Sequence, residues 1–271
     1  MPAPELNAVV AQRIEVAPGL IVLRVVPDGW ELPPFEPGQF AVLALPGSAP
    51  RYPMSDPEEV QRKPEVLIRR SYSIASSSVA TEYLEFYITL VRSGALTPRL
   101  FALQTGDRLW MARKSSGLFT LDQVPADRDV ALIATGTGLA PYMSMLRTYL
   151  TAGTERRFAV LHGARHSWDL GYRSELSTLR RICPSFTYLP IVSRPAEELV
   201  EWRGAQGHVQ DLWDHGELEA AWGFRPTPET THVFLCGNPA MIESMSEQLA
   251  VDGFREHSKK HPGEVHVERY W

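Results

Sequence analysis

Arg70-Ser71-Tyr72-Ser73 puts a guanidinium, an aromatic ring and hydroxyls within four residues. The guanidinium can fork onto a diphosphate. The ring of Tyr72 can lie against a flat aromatic ring system, and the Ser73 hydroxyl can hydrogen-bond a ring nitrogen. The same stretch also reads as a polar edge strand. Gly94-Ala95-Leu96-Thr97-Pro98 has the pattern of a helix start, with Thr97 as N-cap and proline at the first helical position. Such a start would aim free amide groups at an anion, although an ordinary helix start carries the same residues.

Gly136-Thr137-Gly138 follows a short apolar run and precedes Pro141, which opens a helical pattern to Tyr149. Glycines let backbone come close to a phosphate, and the helix terminus supplies amides. Further apolar runs end at Ala164-Arg165 and Ser193-Arg194, and Arg203 follows later. Nucleotide folds specific for NAD often carry an acidic residue after the second strand, where it binds ribose hydroxyls. Here that position carries a hydroxyl and a guanidinium, and Arg194 can pair with a 2′-phosphate. Arg165 and Arg203 are further candidates, and each arginine alone also reads as a solvated surface side chain. Cys236-Gly237-Asn238-Pro239 ends another run. Cys236 can shape a ring-binding site or simply pack as a small apolar group. Cys183 reads as structural. The last residues are Glu268-Arg269-Tyr270-Trp271; an aromatic terminus either anchors the last strand or covers a planar ligand.

The elements that must hold these residues change character near residue 125. Before it, β-type runs at 20–26, 40–45, 84–91 and 108–112 alternate with Pro/Gly turns, which predicts an antiparallel barrel or sandwich. After residue 127, apolar runs at 130–134, 157–162, 187–192 and 232–236 alternate with helical segments, which predicts a parallel sheet with helices. The expected domains are 1–124 and 125–271. Residues 46–63 contain four prolines with mixed charges and read as a long surface loop, a tolerated insertion in the favoured reading and a lid or partner contact in the other.

The chain has 271 residues, 44% of them hydrophobic, which excludes general disorder. A net charge of −5 does not suit a nucleic-acid binder. Two cysteines are too few for an iron–sulfur cluster or a disulfide framework, and they suit a reducing cytoplasm. The N-terminus has no signal-peptide pattern, and no apolar run is long enough to span a bilayer.

Arg70-x-Tyr72-Ser73 after Pro37-Gly38-Gln39-Phe40, then Gly136-Thr137-Gly138 with Pro141, then Cys236-Gly237-Asn238-Pro239 and the final Tyr270-Trp271 together resemble the bacterial ferredoxin/flavodoxin–NADP reductase family. The resemblance runs from Pro37 to Trp271. It implies an N-terminal antiparallel β-barrel for FAD and a C-terminal Rossmann-like α/β domain for NADP(H). It implies that Arg70, Ser71, Tyr72, Ser73, Tyr87, Ala95, Leu96, Thr97, Thr137 and Trp271 hold FAD. Gly136, Gly138, Ala164, Arg165, Ser193, Arg194, Arg203, Cys236, Gly237 and Asn238 would hold NADP(H). Ser73, Cys236 and Glu268 would line the hydride-transfer site, with Trp271 stacked on the flavin.

The implied activity carries hydride from NADPH to FAD and single electrons to ferredoxin or flavodoxin. A monomer is expected, with Arg99, Arg113, Lys114, Lys259 and Lys260 offering a basic rim to an acidic carrier. The same fold would also serve an oxygenase reductase component, a free-flavin reductase or a redox-sensing nucleotide-binding module. Three departures stand out. Threonine replaces the family's serine at Thr97, Gly207-His208 stands where an arginine often follows a glycine, and the 46–63 segment exceeds the usual short turn.

Overall fold

The computed structural model describes residues 5–60, 62–151 and 153–269. The chain forms two compact units, one of Met1–Thr120 with Met143–Thr148, the other of Leu121–Tyr142 and Tyr149–Trp271.

The first unit contains β1 (Ala8–Ala17), β2 (Leu20–Pro27), β3 (Phe40–Pro46), β4 (Leu67–Ser73), β5 (Leu84–Thr89), the short helix α1 (Thr97–Ala102) and β6 (Arg108–Met111). The strands lie in the order β4-β3-β6-β1-β2-β5, each pair antiparallel. An antiparallel bridge from Ile74 to Phe86 joins the two outer strands and closes the sheet into a barrel. Bringing the outer strands together covers part of the edge that an open sheet would expose. The interior is packed by Ile21, Leu23, Leu43, Phe86, Leu109 and Met111, all fully buried. Strand β1 was not anticipated: Ala8–Ala11 are apolar in succession, Gln12 and Arg13 polar in succession, and two register shifts interrupt its pairing with β2, so no period-2 signal marks it.

Two features tie this unit together. Gly38 has φ +99°, and a side chain there would run into the carbonyl of Phe119, so the turn before β3 requires glycine. Glu85, buried on β5, accepts Arg24 Nε at 2.8 Å and Arg147 Nη1 at 2.7 Å. Two guanidiniums thus match one carboxylate that could not be buried alone.

The second unit contains β7 (Asp129–Thr135), β8 (Phe158–Ala164), α3 (Arg173–Ile182), β9 (Phe186–Val192), β10 (Ala205–Gln206), α4 (Val209–Asp214), α5 (Glu217–Trp222), β11 (Thr231–Cys236), α6 (Pro239–Val251) and β12 (Val265–Glu268), while the helix after β7, α2 (Ala140–Tyr149), has Met143–Thr148 counted with the first unit. The sheet is wholly parallel, in the order β10-β9-β8-β7-β11-β12. Val130 to Ala134 are completely buried, as a continuous apolar run on a central parallel strand should be. From β7 the chain winds outward through β8 and β9, then returns to β11 on the other side. That reversal makes β7 and β11 the switch point, outside whose carboxyl ends such sheets bind ligands. Among the described residues no helix is long and apolar enough to cross a membrane.

Candidate active site

The carboxyl ends of β9, β8, β7, β11 and β12 form one row, and most of the expected nucleotide-binding residues stand in it. Ser193 and Arg194 follow β9, Ala164 and Arg165 close β8, Thr135 to Gly138 follow β7, Cys236 to Asn238 follow β11, and Glu268 ends β12. Backbone bonds lock neighbours together: Ser193 N donates to Ala164 O at 3.0 Å, and Arg194 N to Arg165 O at 2.9 Å. Cys236 lies directly across the ladder from Glu268 on one side and Ala134 on the other. With strands about 4.8 Å apart, the row extends roughly 19 Å.

At the switch point the two glycine motifs interlock. A side chain on Gly138 would collide with the carbonyl of Cys236, and one on Gly237, at φ +142°, would collide with Thr135. Asn238 N donates to Thr135 Oγ1 at 2.8 Å, while Asn238 Oδ1 accepts from Ala240 N at 2.9 Å and caps α6. The glycines are therefore demanded by contact between turns. Gly136 differs: its φ is +55° and open space surrounds the position a side chain would take. Backbone there can be approached closely by a phosphate, so the turn fits a dinucleotide. Cys236 is fully buried, and Tyr142 donates to Phe234 O at 2.7 Å just before it. Burial raises the Tyr142 phenol well above its ordinary range, with the nearby Cys236 and Glu268 adding to the shift.

Arg165 and Arg194 are exposed, with side chains 68% and 51% accessible. Each has a loose acidic neighbour: Arg165 Nε is 3.9 Å from Asp169, and Arg194 Nη1 is 3.6 Å from Glu197. Arg203 does not join the row, because it precedes β10 instead of ending a strand, and it faces Glu201 at 3.7 Å. His208 precedes α4, and its backbone N–H donates to Asp211 Oδ2 at 2.7 Å.

One residue here escaped the sequence reading. His166 Nε2 lies 2.9 Å from Glu197 Oε2, its Nδ1 lies 3.1 Å from Asp169 Oδ2, and its ring stacks on Trp168 at 4.4 Å. The hydrogen bond it donates to Glu197 raises its pKa above the ordinary imidazole value, with Asp169 adding to this. The i,i+3 spacing to Asp169 was legible, but the approach of Glu197, 31 residues away, was not.

In the first unit, Arg70 and Tyr72 alternate along β4 with Ser71 and Ser73. By strand periodicity Arg70 and Tyr72 share a face with Ile68 and Ile74. Arg70 is exposed, Tyr72 half-buried against the barrel core and Ser73 buried. Burial pushes the Tyr72 phenol up, opposed by Arg70. A solvent-facing guanidinium two residues from a partly open ring fits a diphosphate joined to a flat ring system. Tyr87 is buried on β5.

Two expectations in this unit are corrected. Thr97 is not an N-cap: Leu96 occupies that position, no side chain caps α1, and Thr97 Oγ1 instead exchanges 3.1 Å bonds with the backbone N and O of Val91. That pairing fastens the Gly94 turn, a competing use of a hydroxyl beside a helix start. Arg99 is not a rim residue either. Its side chain is only 2% exposed and binds Glu58 with both terminal nitrogens, at 2.8 and 2.9 Å, as well as the carbonyls of Ala95 and Gly47.

The 46–63 segment is a loop, as expected, but one anchored at several points. Tyr52 N donates to Pro98 O at 2.8 Å, Asp56 N to Arg92 O at 3.1 Å, and Arg51 Nη1 to Gly94 O at 3.0 Å. Arg113, Lys114, Lys259 and Lys260 are exposed. Trp271 lies outside the described residues.

Residues 132–247 match the family model described as the oxidoreductase NAD-binding domain. The chain is 32% identical over 240 residues to the flavodoxin/ferredoxin–NADP reductase of Escherichia coli (strain K12), a match covering 88% of each. It is 37% identical over 240 residues to ferredoxin–NADP reductase B of Sorangium cellulosum, covering 87% of this chain and 85% of that protein. A crystal structure of a ferredoxin NADP+ reductase from Neisseria gonorrhoeae with bound FAD and NADP superposes with a TM-score of 0.81, at 22% identity and 98% coverage of both chains.

Proposed function

The chain belongs to the ferredoxin/flavodoxin–NADP reductase family, and on that premise we propose how its own residues serve the reaction. It is an FAD-dependent oxidoreductase that exchanges electrons between NADP(H) and ferredoxin- or flavodoxin-type carriers. When bound, FAD takes a hydride from NADPH and passes the electrons on singly, chemistry that belongs to the cofactor.

Arg70 holds the flavin diphosphate through its guanidinium fork. Tyr72 packs on the ring system and Ser73 offers its hydroxyl to a ring nitrogen. Ser71, Tyr87, Ala95, Leu96 and Thr97 complete the cradle in the barrel unit, and Thr137 and Trp271 are assigned to FAD by the family resemblance. Gly136 and Gly138 carry the turn that receives the nicotinamide dinucleotide's pyrophosphate. Arg165, Ser193 and Arg194, with Ala164 beneath them, hold the 2′-phosphate end, and Arg203 is kept as an outlying member of that group. Cys236, Gly237 and Asn238 bound the nicotinamide end, where buried Cys236 limits how the ring can approach. Glu268, across the ladder from Cys236, is the nearby group able to hold a proton.

One observation carries this assignment. Five separate strands end in a single row, with two arginines on one flank, a glycine turn at the switch point, and cysteine with glutamate on the other. A cytoplasmic location is proposed as well, supported by the two-cysteine composition.

The test is direct. The purified protein should be yellow, and anaerobic titration with NADPH should bleach its flavin absorption. Oxidised ferredoxin or flavodoxin should then restore it. A colourless protein that cannot be reconstituted with FAD would overturn the assignment. Faster reoxidation by free FMN than by either carrier would move the activity to flavin reduction.

A further inference from the structure

We propose that His166 is a positioning residue for NADP(H) selectivity: as a cation between Asp169 and Glu197, it holds both carboxylates off Arg165 and Arg194 and leaves those guanidiniums to the 2′-phosphate. The proposal rests on the reading of Arg165 and Arg194 as the 2′-phosphate site.

The geometry forms a chain of alternating charge, Arg165–Asp169–His166–Glu197–Arg194. Its inner contacts, from His166 to the two carboxylates, measure 3.1 and 2.9 Å. Its outer contacts, from carboxylates to arginines, are loose at 3.9 and 3.6 Å. The carboxylates have therefore settled on the imidazole. Both ring nitrogens face carboxylate oxygens, and a neutral imidazole has only one N–H, so only the cation donates to both. The raised pKa agrees with this arrangement. Stacking on Trp168 fixes the plane of the ring. The remaining acid nearby, Glu198, is committed to Ser167, taking its N–H at 2.6 Å and its hydroxyl at 2.7 Å.

Loss of the proton changes the balance. Three cations facing Asp169 and Glu197 become two, and the carboxylates are free to turn to the arginines. Because folding raises the pKa of His166 above 6.5, its contribution is complete below that value and disappears as pH rises through the folded-state pKa. The 2′-phosphate would meet less positive charge above that point, while NADH would be indifferent.

The experiment measures kcat/KM for NADPH and NADH on the holoenzyme from about pH 6 to about pH 9. Wild type should lose roughly fivefold in its NADPH-to-NADH ratio across that range, mostly through KM, the size expected for one partly exposed charge. His166→Phe, which keeps the stack without the charge, should show the lower ratio throughout and no such decline. His166→Lys should hold the high ratio to the alkaline limit. Ionisation of the phosphate itself is common to all variants and cancels. A His166→Phe enzyme with wild-type ratio and pH profile would overturn the proposal, and so would a His166→Lys enzyme that declines as wild type does. Arg194→Ala separates the two layers. If it lowers the ratio while the His166 variants behave as wild type, only the histidine's role fails. If it leaves the ratio unchanged, the 2′-phosphate reading fails first.

Discussion

Single atoms decide much at the switch point. Gly138 and Gly237 sit where two turns approach so closely that neither has room for a methyl group. Gly138→Ala should cost about 1–3 kcal/mol by overpacking, since the obstructing atoms are backbone and cannot rotate away. A lowered Tm together with weaker NADP+ binding by difference spectroscopy is the expected outcome; unchanged values for both would show that the turns can part freely. The glycine pattern was visible in the sequence, but its cause was not. The expected reason was room for a phosphate, which suits Gly136, whereas Gly138 answers to the carbonyl of Cys236 nearly 100 residues on. Thr97 is the converse case: local pattern suggested a cap, and the backbone of Val91 took the hydroxyl.

At the scale of elements, the 46–63 loop braces the segment from Gly94 through α1. Its strongest tie is Glu58 to the buried Arg99. The hydrogen bond from Arg99 lowers the Glu58 carboxyl from its usual range to about 2, aided by the charges of Arg99 and Arg51. A depressed carboxylate pKa stabilises the fold above the unfolded value near 4.5, and that stability is lost as pH falls towards 2. Glu58→Ala should therefore destabilise by about 2 kcal/mol at neutral pH, less than the full cost of orphaning a buried cation because Glu58 is partly open to water. The gap from wild type should close as pH drops from about 4.5. Urea melts at several pH values would show this, and a gap that kept its neutral-pH size down to about pH 2 would exclude the ion pair as its cause. Nothing local in the sequence linked Glu58 to Arg99. Their pairing spans 41 residues and exists only because the barrel returns α1 beneath the loop.

At the scale of the molecule, a net charge of −5 sits uneasily with acidic carriers unless the field is local. Of the five basic residues expected at a rim, Arg99 is spent internally. Arg113 and Lys114 remain exposed beside one another in the first unit. Reversing both, with Arg113→Glu and Lys114→Glu, should slow reduction of ferredoxin or flavodoxin roughly tenfold at low salt. The effect should fade as the Debye length shrinks below about 8 Å. NADPH-dependent ferricyanide reduction should hardly change. Equal rates with the carrier at low ionic strength would remove this face from the docking surface.

The sequence alone determined both classes of sheet, because burial on one face or two writes itself into apolar periodicity, and strand–helix alternation leaves a parallel sheet as the economical solution. It also marked the turns that end β7, β8, β9 and β11, since glycine, arginine and cysteine there are local features of composition. Only the tertiary structure decided which of those turns touch, which arginine is buried, and which histidine stands between two acids. Such facts depend on residues tens of positions apart being brought within a hydrogen bond of each other, and sequence separation carries no record of that distance.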